Sequence, residues 1–215
     1  MRIVHWYHVY ADGDWEEPLR EHLEALRPWK GQFVVCIVGA HDNREAVRQF
    51  CTDAQRKPDW GYGWDNGNEY LTLRKLHDWA QHHPDCGVLY AHTKGAYSNT
   101  PINRAWRRSL THQLVANAAS CARLLETHDL VGAHYLTKYD RPFDVLAPYF
   151  AGNFWWAQSN YLARLARPSD VNRYAAEWWV ASGRNPTPDV VDVYPGFPAD
   201  IVFGPEHHPP VFGGS

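Results

Sequence analysis

Two hydrophobic periods alternate along the chain. Residues 3–10 are an apolar and aromatic run (Ile-Val-His-Trp-Tyr-His-Val-Tyr) that ends in the turn Ala11-Asp12-Gly13-Asp14. Trp15, Leu19, Leu23 and Leu26 then recur at helical spacing, so a strand hands over to an amphipathic helix. Asp14 with Glu17 reads as a capping pair at that helix's start, a better account of Asp14 than a metal-binding Asp-x-Asp with Asp12. The cycle repeats. Residues 32–40 form a continuously apolar strand, as expected of one buried on both faces. Ala46, Val47, Phe50, Cys51 and Ala54 mark the next helix. Residues 57–68, rich in glycine and tryptophan, read as a long functional loop. A helix over 68–82 turns Leu73, Leu76, Trp79 and Ala80 inward. Glu69 lies in its first turn, where the helix dipole already accounts for a carboxylate.

The third strand is the centre of the pattern. Cys86-Gly87-Val88-Leu89-Tyr90-Ala91 breaks into His92-Thr93-Lys94-Gly95, three hydrogen-bonding side chains and a glycine that admits close backbone approach. In open α/β sheets, ligands bind beyond the carboxyl ends of the strands. A basic, donor-rich tip there suits a diphosphate. Thr100 caps and Pro101 opens a long helix to about residue 126, with a stripe of Ile102, Trp106, Leu110, Leu114, Ala118, Cys121 and Leu125. Arg104, Arg107 and Arg108 cluster near its start. A strand over 130–136 follows. Residues 149–157 (Tyr-Phe-Ala-Gly-Asn-Phe-Trp-Trp-Ala) are a strand weakened by Gly152-Asn153, as where a backbone bends or a ligand comes close. Trp155 and Trp156 point to opposite faces. One is expected in the core and the other is a candidate platform for a sugar or base. A short helix near 159–165 precedes a second one capped by Ser169, which carries Glu177 beside Trp178 and Trp179. Short edge strands at 190–191 and 201–203 lie among prolines, and residues 204–215 form a Pro/Gly-rich tail.

The βαβ rhythm predicts one α/β domain over residues 1–203 with a mixed, mostly parallel, Rossmann-type sheet flanked by helices. No GxGxxG or GxxxxGK[ST] loop occurs, which excludes the common dehydrogenase and P-loop routes to phosphate. A net charge of −3 over 215 residues argues against charge-driven nucleic-acid binding. Eleven tryptophans and twelve tyrosines exceed ordinary usage and suit ring stacking as well as core. Cys36, Cys51, Cys86 and Cys121 are dispersed in apolar patterns and read as buried free thiols. Without a signal-peptide pattern or a transmembrane run, the chain reads as soluble and cytoplasmic.

His92-Thr93-Lys94-Gly95, Trp106-Arg107, Gly152-Asn153-Phe154-Trp155-Trp156 and Glu177-Trp178 follow one another as in a family of small bacterial and viral glycosyltransferases. The resemblance spans roughly residues 3–179 and implies a compact GT-A fold that binds a nucleotide sugar such as a UDP-hexose. It implies Tyr7, His92, Thr93, Lys94, Gly95, Arg107, Asn153, Trp155 and Trp156 as donor-binding residues. It implies Glu177 as the base of an inverting hexosyl transfer to a hydroxyl on a glycan, lipid or protein. One departure matters. Where GT-A enzymes carry a metal-binding Asp-x-Asp, this chain reads Ala91-His92-Thr93-Lys94. Lys94, His92 and an arginine could neutralise the leaving diphosphate without metal, the reading favoured here. Otherwise magnesium or manganese is held elsewhere, with Asp12, Asp65 and His207 as first candidates. The competing class is a non-catalytic glycan- or nucleotide-binding module on the same fold.

Overall fold

The computed structural model describes residues 1–54, 57–137, 148–169, 175–184 and 187–195. Four parallel strands form its heart: β1 (Arg2–Tyr10), β2 (Gln32–Val38), β3 (Asp59–Trp64) and β4 (Cys86–His92). The connections are α1 (Glu16–Ala25), α2 (His41–Asp53) and α3 (Glu69–Ala80). After β4 come α4 (Pro101–Leu110), a π-helical turn over Thr111–Ala116, and α5 (Ala118–Leu124). β5 (Leu130–Gly132), β6 (Tyr135–Leu136), β7 (Tyr149–Phe150) and β8 (Trp155–Gln158) follow. Then come α6 (Ser159–Arg164), α7 (Ala175–Trp179) and β9 (Val190–Asp192). The main sheet has seven strands in the order β3-β2-β1-β4-β8-β5-β9, and β6 pairs separately with β7. Only β8 runs antiparallel to its neighbours in the main sheet. The architecture is a mixed α/β sheet, mostly parallel and flanked by helices. The expected strand at 201–203 and the tail at 204–215 lie outside the described residues.

Alternation within the strands splits the core into two layers. Tyr7 and Val9 of β1, Phe33, Val35 and Ile37 of β2, Leu89 of β4 and Trp156 of β8 pack with Leu19, Leu23, Val47, Cys51, Leu110 and Leu114. Val4, Trp6, Val34, Val88, Tyr90 and Trp155 pack on the opposite face with Leu73, Leu76, Tyr161, Leu162 and Trp179. Both adjacent tryptophans are therefore 0 % exposed, each under its own helical layer. Neither is a solvent-facing platform, because a sheet covered on both sides leaves no open face for the second ring. All four cysteines are free and buried.

Several expectations are corrected in detail. Residues 59–64 are a strand rather than loop, paired in parallel with β2 across a register shift. The glycines let it lie close: a Cβ at Gly61 would come 2.8 Å from Cys36 Sγ. Strand 130–136 is two strands, broken where His134 takes φ +57. Asp14 caps nothing: the N-cap of α1 is Trp15, without a side-chain cap. Glu17 instead accepts from Asn99 Nδ2 at 3.0 Å. Of the helix pattern after β2, Val47 and Cys51 are buried but Ala46 and Ala54 are exposed.

The long helix has Thr100 accepting from Asn103 N at its start, as its sequence requires. From Ile102 to Ala118 its apolar stripe recurs every four residues, which drifts round a helix of 3.6 residues per turn. The wider π turn in its middle takes up that drift, so Leu110, Leu114, Cys121 and Leu125 all reach the core. Ile102 falls off the stripe and is 68 % exposed.

Trp156 also donates from Nε1 to the carbonyl of Leu114 at 2.9 Å. Trp156→Ala is expected to cost ~3–5 kcal/mol, as for other buried aromatic truncations. Urea denaturation measures this, and a loss below about 1 kcal/mol would return Trp156 to the surface role.

Candidate functional site

Sheet topology chooses the place. β1, β2 and β3 build outward in one direction, and the chain then crosses back to lay β4 on the other side of β1. Beyond the carboxyl ends of β1 and β4 is the position at which doubly wound sheets bind ligands. Tyr7 pairs with Ala91 and His8 with His92 in register, so two histidines stand side by side at that edge. Both lie on the face that α3 covers. Asn68 caps α3, accepting from Tyr70 N at 3.0 Å, and sets Glu69 over the same two strands.

Glu69 is the hub. Its Oε2 accepts from Tyr90 Oη at 2.9 Å and from Asn153 Nδ2 at 2.7 Å, and its Oε1 lies 3.3 Å from His92 Nδ1. His92 Nε2 donates to the carbonyl of Gly152 at 2.9 Å. Asn153 Oδ1 accepts from Trp155 Nε1 at 2.8 Å. His8 Nδ1 bonds Thr72 Oγ1 at 2.8 Å. The turn between β7 and β8 must bend sharply to bring these groups in. Gly152 has φ +90 and Asn153 φ +54, a conformation asparagine tolerates better than most residues. The bulk at Gly152 is excluded too, since a Cβ there would come 2.6 Å from Leu110 Cδ1.

Electrostatics fix the charge states. Burial alone would raise the Glu69 carboxyl. His92, His8 and the hydrogen bonds from Tyr90 and Asn153 together outweigh it, so Glu69 sits below the usual carboxylate value. Burial pushes His8 down to about 4, against the pull of Glu69 and with the push of His92. Burial also lowers His92, opposed by Glu69 and assisted by Lys94. The result is a carboxylate held in a partly dry site and coupled to two imidazoles: charge on either ring favours its ionised form, and burial opposes that charge.

The other predicted site residues divide into three groups. Lys94 lies at this edge, its Nζ 3.5 Å from the centroid of the Trp106 ring. Gly95 follows with φ +88, as expected for a glycine at a turn. Thr93 is buried and structural: its Oγ1 accepts from Tyr10 N at 2.9 Å. Arg107 is 1 % exposed, bound through Nε to Glu21 Oε2 at 2.8 Å and through Nη1 to the carbonyl of Lys94 at 3.1 Å. It braces the Lys94 turn instead of facing a ligand, because α1 supplies its carboxylates. Tyr7 lies in the core on the other face, stacked on His22 at 4.0 Å, and burial pushes its hydroxyl well up.

Asp12 and Asp65 do not converge. Asp12 Oδ1 accepts from Ala40 N and Asn43 Nδ2, both at 2.8 Å, and so ties the turn before α2. Asp65 Oδ1 pairs with Arg44 Nη1 at 2.5 Å. His207 lies outside the described residues. Among those described, no group of three or more His, Cys, Asp or Glu side chains is placed to hold a metal ion. Glu177 is half-buried on α7, whose Trp178 packs against Leu136, Tyr149 and Ala151 beside the Gly152 turn.

Sequence reasoning set Glu69 aside and passed over His8 and Tyr90. The signal available was positional. The even residues of the first and central strands share a face, and a helix cap ahead of Glu69 aims its carboxylate at them.

A family model described as a domain of unknown function (DUF8361) matches residues 6–172, most of the chain, and the chain belongs to that family. No curated protein matches the sequence.

Because folding depresses His8 from 6.5 to about 4, the unfolded chain binds the extra proton between those values. Stability is complete above 6.5 and falls as the pH drops through that window, by up to ~3 kcal/mol from this group. Glu69, also depressed, acts in the same direction. Chemical denaturation across pH 4–7 should show the fall, and His8→Gln should lessen it, the buried His22 and His92 supplying the remainder. A wild-type profile that is flat across the window would contradict the buried neutral imidazole.

Proposed function

We propose that this member of the DUF8361 family is a glycosyltransferase of GT-A type that takes its sugar from a nucleoside-diphosphate donor. The single observation that carries the reading is the set Glu69, His92 and Lys94 at the carboxyl edge of β1 and β4. A cation there suits the charge that develops on a departing diphosphate. An ionised carboxylate beside it suits hydrogen bonds from sugar hydroxyls. His92 Nε2 is already engaged with the carbonyl of Gly152 and its Nδ1 faces Glu69, so Lys94 rather than His92 is the proposed phosphate contact. The acceptor is a hydroxyl on a glycan, lipid or protein, and Glu177 is its proposed base. The packing of neighbouring Trp178 against Ala151, next to the Gly152 turn, supports that role.

A second reading rests on a specific observation. Glu69 Oε2 already accepts from Tyr90 and Asn153 and His92 Nε2 already donates to Gly152, as in a module that binds a nucleotide sugar without turning it over. Slow hydrolysis of the bound donor without acceptor marks the transferase, and its absence marks the module.

Lys94→Ala should weaken uridine diphosphate binding by ~1.5–3 kcal/mol, the worth of a charged hydrogen bond, as read by titration calorimetry. Unchanged affinity in the folded variant would remove Lys94 from the site. The same titration in chelator should retain binding, since Asp12 and Asp65 are committed to Ala40, Asn43 and Arg44.

Glu177→Gln should keep donor affinity while transfer falls ~10²–10⁴-fold, the range of a general base. Turnover near wild type would transfer that role to another group.

A further inference from the structure

His8 is 3 % exposed and stands beside His92 in register, near the end of β1. One of its ring nitrogens is engaged: Nδ1 lies 2.8 Å from Oγ1 of Thr72, one turn along α3 from Glu69. The Thr72 hydroxyl has a single hydrogen, and its other neighbour is the Cys36 thiol, a weak acceptor. That hydrogen therefore goes to His8 Nδ1. Burial keeps the ring neutral, its pKa pushed down to about 4, so its own proton stands on Nε2. Nε2–H has no hydrogen-bond partner among the described residues, and it is not one of the unpartnered atoms sealed from solvent. It is a donor without an acceptor.

An acceptor in the same condition is close by. Glu69 and His92 are the groups whose charges act on the His8 ring. Glu69 Oε2 is taken by Tyr90 and Asn153, whereas Oε1 accepts no hydrogen bond among the described residues. His92 Nδ1 lies 3.3 Å from Oε1, and one lone pair of that oxygen stays open whichever way the two groups hold their protons. The Glu69 side chain is 21 % exposed and that of His92 16 %, so this corner of the network reaches solvent. No hydrogen bond joins His8 to Glu69 directly.

We propose that His8 Nε2–H and Glu69 Oε1 together take one hydroxyl group of a bound hexose. The proposal rests on the nucleotide-sugar reading above and adds to it the residues that read the sugar. The hydroxyl accepts from Nε2 and donates to Oε1, which satisfies both groups at once. A phosphate oxygen has no hydrogen to give Oε1 and is repelled by a carboxylate. The pair thus selects the sugar end of the donor, while Lys94 takes the diphosphate end. A sugar lacking that hydroxyl leaves both groups unpaired, the mismatch by which a polar site rejects an analogue.

NMR of the nitrogen-labelled imidazoles tests the donor directly. The free chain should show His8 as the Nε2–H tautomer, and an Nδ1–H tautomer overturns the proposal. Calorimetry then compares UDP with UDP-glucose, UDP-galactose and UDP-N-acetylglucosamine. At least one sugar nucleotide should bind the native chain more tightly than UDP. That advantage should fall ~10–100-fold in His8→Asn, whose amide reaches the Nδ1 position but not Nε2. His8→Gln, whose amide reaches the Nε2 position, should recover most of it. One singly deoxygenated analogue of the best sugar should lose the same factor on the native chain and nothing further on His8→Asn. An advantage that survives in folded His8→Asn overturns the proposal and leaves the nucleotide-sugar reading standing. A native chain that gains from none of the sugars overturns it too. Equal binding of every deoxygenated analogue to the native chain does the same without any variant. Binding of neither UDP nor a sugar nucleotide removes the underlying reading as well.

Discussion

A carboxylate that is largely withdrawn from water must be satisfied, and Glu69 on α3 obliges two other elements to meet it. Tyr90 comes from β4, Asn153 from the turn before β8, and His92 from the end of β4. Each bond to an ionised group is worth more than a neutral one, and stranding the carboxylate would cost several kcal/mol on the order expected for a buried charge. The left-handed turn at Gly152-Asn153 follows from this demand. It aims one asparagine amide at Glu69 and one carbonyl at His92. Backbone strain at such a turn is the kind that accumulates around ligand sites.

The two-layer core makes this local arrangement possible. Trp155 and Trp156 anchor β8 from opposite faces, and Trp155 in turn stacks on Tyr90 at 4.9 Å and donates to Asn153. Packing and polar network thus share residues. On the other layer, Arg107 links α1 to α4 and holds the carbonyl of Lys94. The Lys94 backbone turn is therefore fixed from beneath, and the ammonium group lies over the Trp106 ring. Pre-organisation of that kind lowers the cost of ordering a site when ligand arrives.

Most of the fold was legible because it rests on local periodicity. The strands at 3–10, 32–40 and 86–91 and the cap at Thr100 follow from residue pattern alone. Residues 59–64 were not legible as a strand, because glycine weakens every strand criterion and only the neighbour β2 supplies the pairing. The break at His134 has no signal in its own residue type. For the site, His92, Lys94 and Asn153 were legible as a group near one sheet edge. Glu69 was not, because a carboxylate in a helix's first turn has a sufficient local explanation until β1 and β4 are placed beneath it. Arg107 and the paired tryptophans look the same in sequence whether they face ligand or core, and burial decides.

Central to the account is that ligand occupies the carboxyl edge of β1 and β4. The most direct measurement is an amide chemical-shift map of the labelled chain titrated with uridine diphosphate. The account predicts shifts concentrated at Tyr10, at residues 92–98 and at Gly152 and Asn153. Shifts confined to the opposite edge of the sheet, around Cys86 and Gln158, or no shifts at saturating nucleotide, would contradict it.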